Sequence, residues 1–223
     1  MVDVPAQLAA VTRAFRTEER DGVLMNVQTL EQDYPAPIDD VWEAVTSAER
    51  IGSWFQPVSG DLQLGGTYQI EGNAGGTILT CTPPADDAAE RTAEYSATWE
   101  FGGGISWIAV RLAAVGEGTR FELEHSAHAE QEPTEFWDTY GPGATGVGWD
   151  GGLLGLSLHL GGVEGSLSPQ EAEAWAGTEA GRSFYRGSAD GWAVAHAASG
   201  AVDAETAQRQ ADTTYAFYTG TDA

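Results

Sequence analysis

Residues 94–101 read EYSATWEF, and this stretch decides the fold class. Tyr95, Ala97, Trp99 and Phe101 fall on one side of an extended chain, with Glu94, Ser96, Thr98 and Glu100 on the other. A period of two with one aromatic and one polar face is the signature of a half-buried β-strand. Toward the C-terminus, Gly102-Gly103-Gly104 turns the chain into a second strand over 105–115. Gly116-Glu117-Gly118 then turns it into a third over 119–127, so two hairpins close a sheet. Toward the N-terminus, Pro83-Pro84 and the acidic run 85–90 read as a loop. Before it, strands are expected over 77–82, 67–71 and 61–64, separated by Gly75-Gly76 and Gly65-Gly66 as in a meander.

Helical periods flank this sheet. Pro37 opens a helix with Asp39 and Asp40 in its first turn and Val41, Trp42 and Val45 on one face. Val23, Met25 and Val27 alternate as a first strand. Leu8, Val11 and Phe15 are spaced for an amphipathic helix over 4–20. After a polar loop over 130–140, Trp149, Leu153, Leu156 and Leu160 recur at helical spacing within 143–161, and Leu154 and Leu158 widen the stripe. Ser168-Pro169-Gln170-Glu171 matches a capping box, and helical patterns follow around Trp192 and Ala207. The expected organisation is α+β: an N-terminal helical strap over 1–21, a sheet-and-helix domain over 22–163 and a helical extension over 164–223. The extension carries Trp175, Phe184, Tyr185, Trp192, Tyr215, Phe217 and Tyr218. That much aromatic surface must pack on the domain, on a second subunit or over a pocket mouth.

The chain has 223 residues, 42% of them hydrophobic, enough for a packed core. All ten basic residues are arginine, against 34 acids, giving a net charge of -24. Such a surface repels phosphate backbones and anionic lipid, so nucleic acid and membrane are excluded as expected partners. Cys81 has no second cysteine to pair with, and Asp3, Arg13, Arg16 and Glu18 interrupt the apolar run a secretory signal needs. The expectation is a cytoplasmic protein.

One combination of motifs is similar to a known family. It comprises PAPIDDVWEAVT over 35–46, the Trp54-Phe55 pair after Ile51-Gly52, GDLQLGGTY over 60–68 and GGTIL over 75–79. Further pieces are TWEF over 98–101 and GTRFEL over 118–123. Together they resemble the START-like (SRPBCC) superfamily, in the branch of activators of the heat-shock protein 90 ATPase. The resemblance covers roughly residues 22–162. It implies a helix-grip fold, a bent antiparallel sheet wrapped around a long C-terminal helix, with a cavity between them. In relatives that cavity holds apolar or aromatic molecules, and some relatives are cyclases, aromatases or chaperone binders. Shared architecture does not carry a reaction with it.

The residues themselves suggest where such a cavity would act. On strand 119–127, Phe121, Leu123 and His125 share one side, so His125 faces the interior. There it suits a general base or a hydrogen-bonding anchor; the simpler alternative is a buried neutral imidazole satisfied by its neighbours. Trp54, Tyr68, Trp99, Trp107, Phe121 and Leu153 are candidate lining residues that could equally fill a core. Trp137 and Tyr140 are placed at the mouth. Trp149 and Asp150, on the long helix, are candidate contacts, with helix packing and a solvated first-turn carboxylate as their alternatives.

Other signals are rejected. Gly141-Pro-Gly-Ala-Thr-Gly146 formally matches a dinucleotide fingerprint, but no parallel strand repeat precedes it and Pro142 lacks an amide hydrogen. His125, His128, His159 and His196 are not spaced to chelate, and no nucleophile elbow is present, so neither metal nor other cofactor is expected. The leading reading is a binding protein for a small apolar or aromatic ligand. The alternatives are a cyclase- or aromatase-like enzyme using His125, and a module that binds a chaperone or self-associates through its C-terminal helices.

Overall fold

The computed structural model describes residues 1–85, 90–130, 134–165, 167–168 and 170–221. Most of the acidic loop, the first part of the polar loop and Pro169 of the capping box lie outside the described residues. A short helix α1 (Val4–Ala10) leads into β1 (Thr12–Arg20) and β2 (Val23–Tyr34). Helices α2 (Ile38–Thr46) and α3 (Ala48–Trp54) come next, followed by β3 (Val58–Gly60), β4 (Thr67–Ile70), β5 (Gly75–Thr82), β6 (Thr92–Phe101), β7 (Gly104–Val115) and β8 (Gly118–His128). Five helices complete the described chain: α4 (Thr134–Tyr140), α5 (Gly143–Leu160), α6 (Ala172–Ala176), α7 (Glu179–Ala198) and α8 (Ala204–Thr219). The strands form one eight-stranded antiparallel sheet in the order β1-β2-β8-β7-β6-β5-β4-β3.

The register shows how alternation builds the concave face. Ala97 pairs Ile108, Ile108 pairs His125 and His125 pairs Gln28; one layer further along, Tyr95, Val110, Leu123 and Leu30 stand in a row. Partners directly opposite share a face, so these rows form the floor on which α5 lies. The curved sheet gripping α5 gives the α+β helix-grip architecture the resemblance implied.

Several expectations change in detail. The helix expected over 4–20 ends at Ala10, and residues 12–20 are an edge strand. Only Phe15 is buried along that strand, so its outer face shows no apolar alternation. The signal lies instead in Asp21-Gly22, where both residues adopt positive φ (51° and 80°) in a two-residue hairpin turn. Residues 61–64 are not a strand; β3 is 58–60, and Gly75 and Gly76 sit inside β5 rather than ahead of it. Thr134–Tyr140, expected as loop, is a helix. Phe101, expected to face inward, is 61% exposed because its strand ends there. The capping-box contact is present, with Ser168 N donating to Glu171 at 3.0 Å, but the helix after it spans only five residues.

Helix α5 holds six glycines, each of which would weaken an isolated helix by roughly 1 kcal/mol. Tertiary packing explains two of them. A Cβ on Gly146 would lie 2.2 Å from the Trp192 ring, and one on Gly155 2.3 Å from the Trp54 carbonyl oxygen, so both positions require the absence of a side chain. The tail helices α7 and α8 therefore seat directly on α5, and α7 also packs on β1. Trp192, Ala193 and Ala207 join the main core, while Phe184 joins Val2, Val4, Leu154 and Val163 in a second one.

A buried ionic junction locks these layers. Asp150 of α5 is fully buried and accepts from Arg13 Nε at 2.9 Å and Nη2 at 2.8 Å. It also accepts from Ser188 Oγ at 2.6 Å and Trp192 Nε1 at 3.0 Å. Strand β1, helix α5 and helix α7 thus meet on one carboxylate. Neither alternative read from the sequence, ligand contact or solvated carboxylate, describes a group so enclosed. Among the described residues no helix is long and apolar enough to cross a membrane, and no cluster of three His, Cys, Asp or Glu is placed to hold a metal.

Candidate functional site

A cavity of about 110 Å³ lies between the concave sheet face, α5 and α3. Tyr95, Ala97, Ile108, Val110 and Leu123 form its floor. Trp149, Leu153 and Leu156 come from α5, and Ile51, Trp54 and Phe55 from α3 and the residue after it. Among the described residues no charged side chain lines it. The volume approaches the roughly 150 Å³ of an apolar cavity that stays dry and accepts a benzene ring.

Of the residues singled out in the sequence, Trp54, Tyr68, Trp99, Phe121, Trp149 and Leu153 line this cavity. Trp99 and Trp149 pack with ring centroids 4.8 Å apart, joining the sheet to α5. Trp107 lies elsewhere: its neighbour Ile108 takes the concave side, so Trp107 faces outward and packs at a tilt on His128, with ring centroids 5.0 Å apart. Trp137 sits between Phe15 and His196, at 5.5 Å and 5.8 Å, under the tail helices rather than at a mouth. Tyr140 packs on Phe136 and Phe217. These placements depend on α4, which the sequence read as loop.

His125 is on the concave face but does not line the cavity; Trp149 packs edge-on against it at 5.6 Å. Both ring nitrogens are engaged, Nδ1 with Gln28 Oε1 at 3.2 Å and Nε2 with Ser106 Oγ at 2.9 Å. Gln28 Oε1 also accepts from Thr145 Oγ1 at 2.6 Å, and Gln28 Nε2 donates to the Pro142 carbonyl. Because Oε1 can only accept, Nδ1 carries the proton; the single Ser106 hydroxyl hydrogen has two acceptors in reach, Nε2 of the neutral ring and the Trp99 carbonyl at 3.1 Å. Burial pushes the His125 pKa down to about 4, so the ring is neutral near pH 7. The arrangement pins the N-terminal end of α5 to β2, β7 and β8. It lacks the pKa near neutrality that proton shuttling favours.

Sequence reasoning missed Tyr95, Cys81, Ile51 and Phe55 as wall residues. Tyr95 was legible, since it shares the inward face with Trp99. Cys81 was not, because a bulge between Ile78 and Thr80 shifts the register and places Cys81 opposite Tyr95.

Fold and cavity together define the class: a helix-grip protein of the SRPBCC type, with an apolar space between sheet and helix. The profile of the family described as Activator of Hsp90 ATPase homolog 1-like protein matches residues 35–151, over half of the chain, and the chain belongs to this family. The crystal structure of CalU16 from Micromonospora echinospora is 34% identical over 68% of this chain and 86% of its own, with a TM-score of 0.55. The solution NMR structure of CalU16 aligns over 85% of this chain and 97% of its own, at 30% identity and a TM-score of 0.64. Protein MLL2253 from Mesorhizobium loti shares the fold at 17% identity over 62% of this chain and 98% of its own, with a TM-score of 0.50. Comparison with the curated proteins finds no match.

Proposed function

We propose that the protein binds a small apolar or aromatic ligand in the cavity between its sheet and α5. The observation that carries this reading is a concave space of about 110 Å³ walled by aromatic and aliphatic side chains, with no charged side chain among the described residues lining it. Protein interiors normally fill such space, and ligand sites are concave and largely apolar. His125 offers no comparable support for a cyclase-like reaction, since it is neutral, doubly hydrogen-bonded and screened by Trp149.

Native mass spectrometry of the purified chain, followed by denaturing extraction, tests the reading. A discrete co-purifying apolar molecule is expected for the wild type and is expected to be absent from Ala97→Leu, which extends a wall residue into the space. Equal retention in both proteins would refute the placement. The family description favours a second reading, interaction with a chaperone ATPase. Stimulation of Hsp90 ATPase turnover by the chain would support it, and no change in turnover would exclude activation.

A further inference from the structure

The polar atoms in the cavity wall divide into committed and uncommitted ones. Tyr68 Oη donates to the Thr98 carbonyl at 2.7 Å, Thr46 Oγ1 to the Trp42 carbonyl at 2.6 Å and Trp54 Nε1 to the Ala44 carbonyl at 2.9 Å. The Tyr95 hydroxyl has no hydrogen-bond partner among the described residues, although its ring lines the cavity and is packed edge-on to Trp42 at 6.2 Å. Its position is set by strand pairing on both sides, opposite Cys81 and Val110. On the opposing wall, Trp149 Nε1 is buried without a partner. Tyr95 is only partly buried, so its unpartnered hydroxyl is a donor left available at the cavity wall, whereas Trp149 Nε1 is enclosed by the protein itself.

We propose that the cavity's ligand is an uncharged, ring-sized apolar molecule carrying a carbonyl or ether oxygen, and that the Tyr95 hydroxyl donates a hydrogen bond to that oxygen. This rests on the ligand-binding reading above and narrows it. A charged ligand is disfavoured because, among the described residues, no opposite charge lines the wall to offset its desolvation. Burial raises the Tyr95 pKa, which keeps the phenol protonated and able to donate.

The test uses two isosteres, acetophenone and α-methylstyrene, which differ only in a carbonyl oxygen replaced by a methylene. Binding to the full chain is followed by NMR titration of the tryptophan indole N–H signals. Tyr95→Phe is expected to weaken acetophenone about tenfold, the effect of one neutral hydrogen bond, and to leave α-methylstyrene within about twofold. Tyr68→Phe, whose hydroxyl is committed to Thr98, is expected to affect the two probes alike. Retained α-methylstyrene binding also shows that each variant is folded. If Tyr95→Phe weakens both probes equally, or neither, the Tyr95 assignment is overturned while ligand binding stands. If neither probe shifts any tryptophan signal of the wild type, the cavity reading falls and this one with it.

Discussion

Replacing Asp150 with alanine tests the buried junction that joins sheet, grip helix and tail. The variant strips the Arg13 guanidinium of its carboxylate while leaving it buried, with 8% side-chain exposure, and it orphans the Ser188 hydroxyl and Trp192 indole donors. Removing one member of a buried ion pair costs about 3–5 kcal/mol, since the remaining charge must be desolvated without compensation. For a chain of this length, each kcal/mol lowers Tm by roughly 2–4 °C, so a fall of about 6–20 °C is expected. Because the pair is shielded from solvent, the loss should persist at high salt, where the repulsion among surface carboxylates is screened. Urea unfolding of wild type and Asp150→Ala, fitted for midpoint and slope at low and high salt, measures it. Arg13→Met combined with Asp150→Leu should recover part of the loss, because no charge is then left buried. A single-variant cost below about 1 kcal/mol, or a double variant less stable than Asp150→Ala, would refute the reasoning.

Two further outcomes follow from the same packing. His125 has a folded pKa of about 4 against an ordinary 6.5. The unfolded chain therefore binds its proton first as pH falls, and the stability tied to the neutral ring is complete above pH 6.5 and lost on the way to 4. At 1.36 kcal/mol per pH unit that loss is about 3 kcal/mol. Subtracting the profile of His125→Gln from that of wild type should isolate it, and a flat difference would contradict the buried neutral imidazole. Gly146→Ala forces a methyl into the Trp192 ring and should cost about 1–3 kcal/mol. Gly151→Ala, with open space around its Cβ, should stabilise by roughly 0.5–1 kcal/mol. Thermal unfolding of the pair separates steric fit from helix propensity, and equal shifts would contradict the close approach of α7.

The sequence alone determined what depends on short-range periodicity. Residues 94–101 and the strands after them alternate because one sheet face is dry, and the leucine stripe of 143–161 marks a helix lying on that face. From these, together with the motif combination, the helix-grip fold and six residues of the cavity wall were legible: Trp54, Tyr68, Trp99, Phe121, Trp149 and Leu153. Tertiary structure decided the rest, because it depends on partners distant in the chain. Asp150 next to Trp149 looks like a solvated helix carboxylate until β1 brings Arg13 and α7 brings Ser188 and Trp192, from positions 137, 38 and 42 residues away. The glycines of α5 read as helix weakness until Trp192 and the Trp54 carbonyl occupy the space they leave. His125 reads as either a base or a satisfied buried imidazole until Gln28, Ser106 and Trp149 close around it, and Tyr95 reads as one more inward aromatic until its hydroxyl is found without a partner. Alternation fixes which way a side chain points; only the elements packed against it fix whether it meets a partner, a neighbour's ring or an open space.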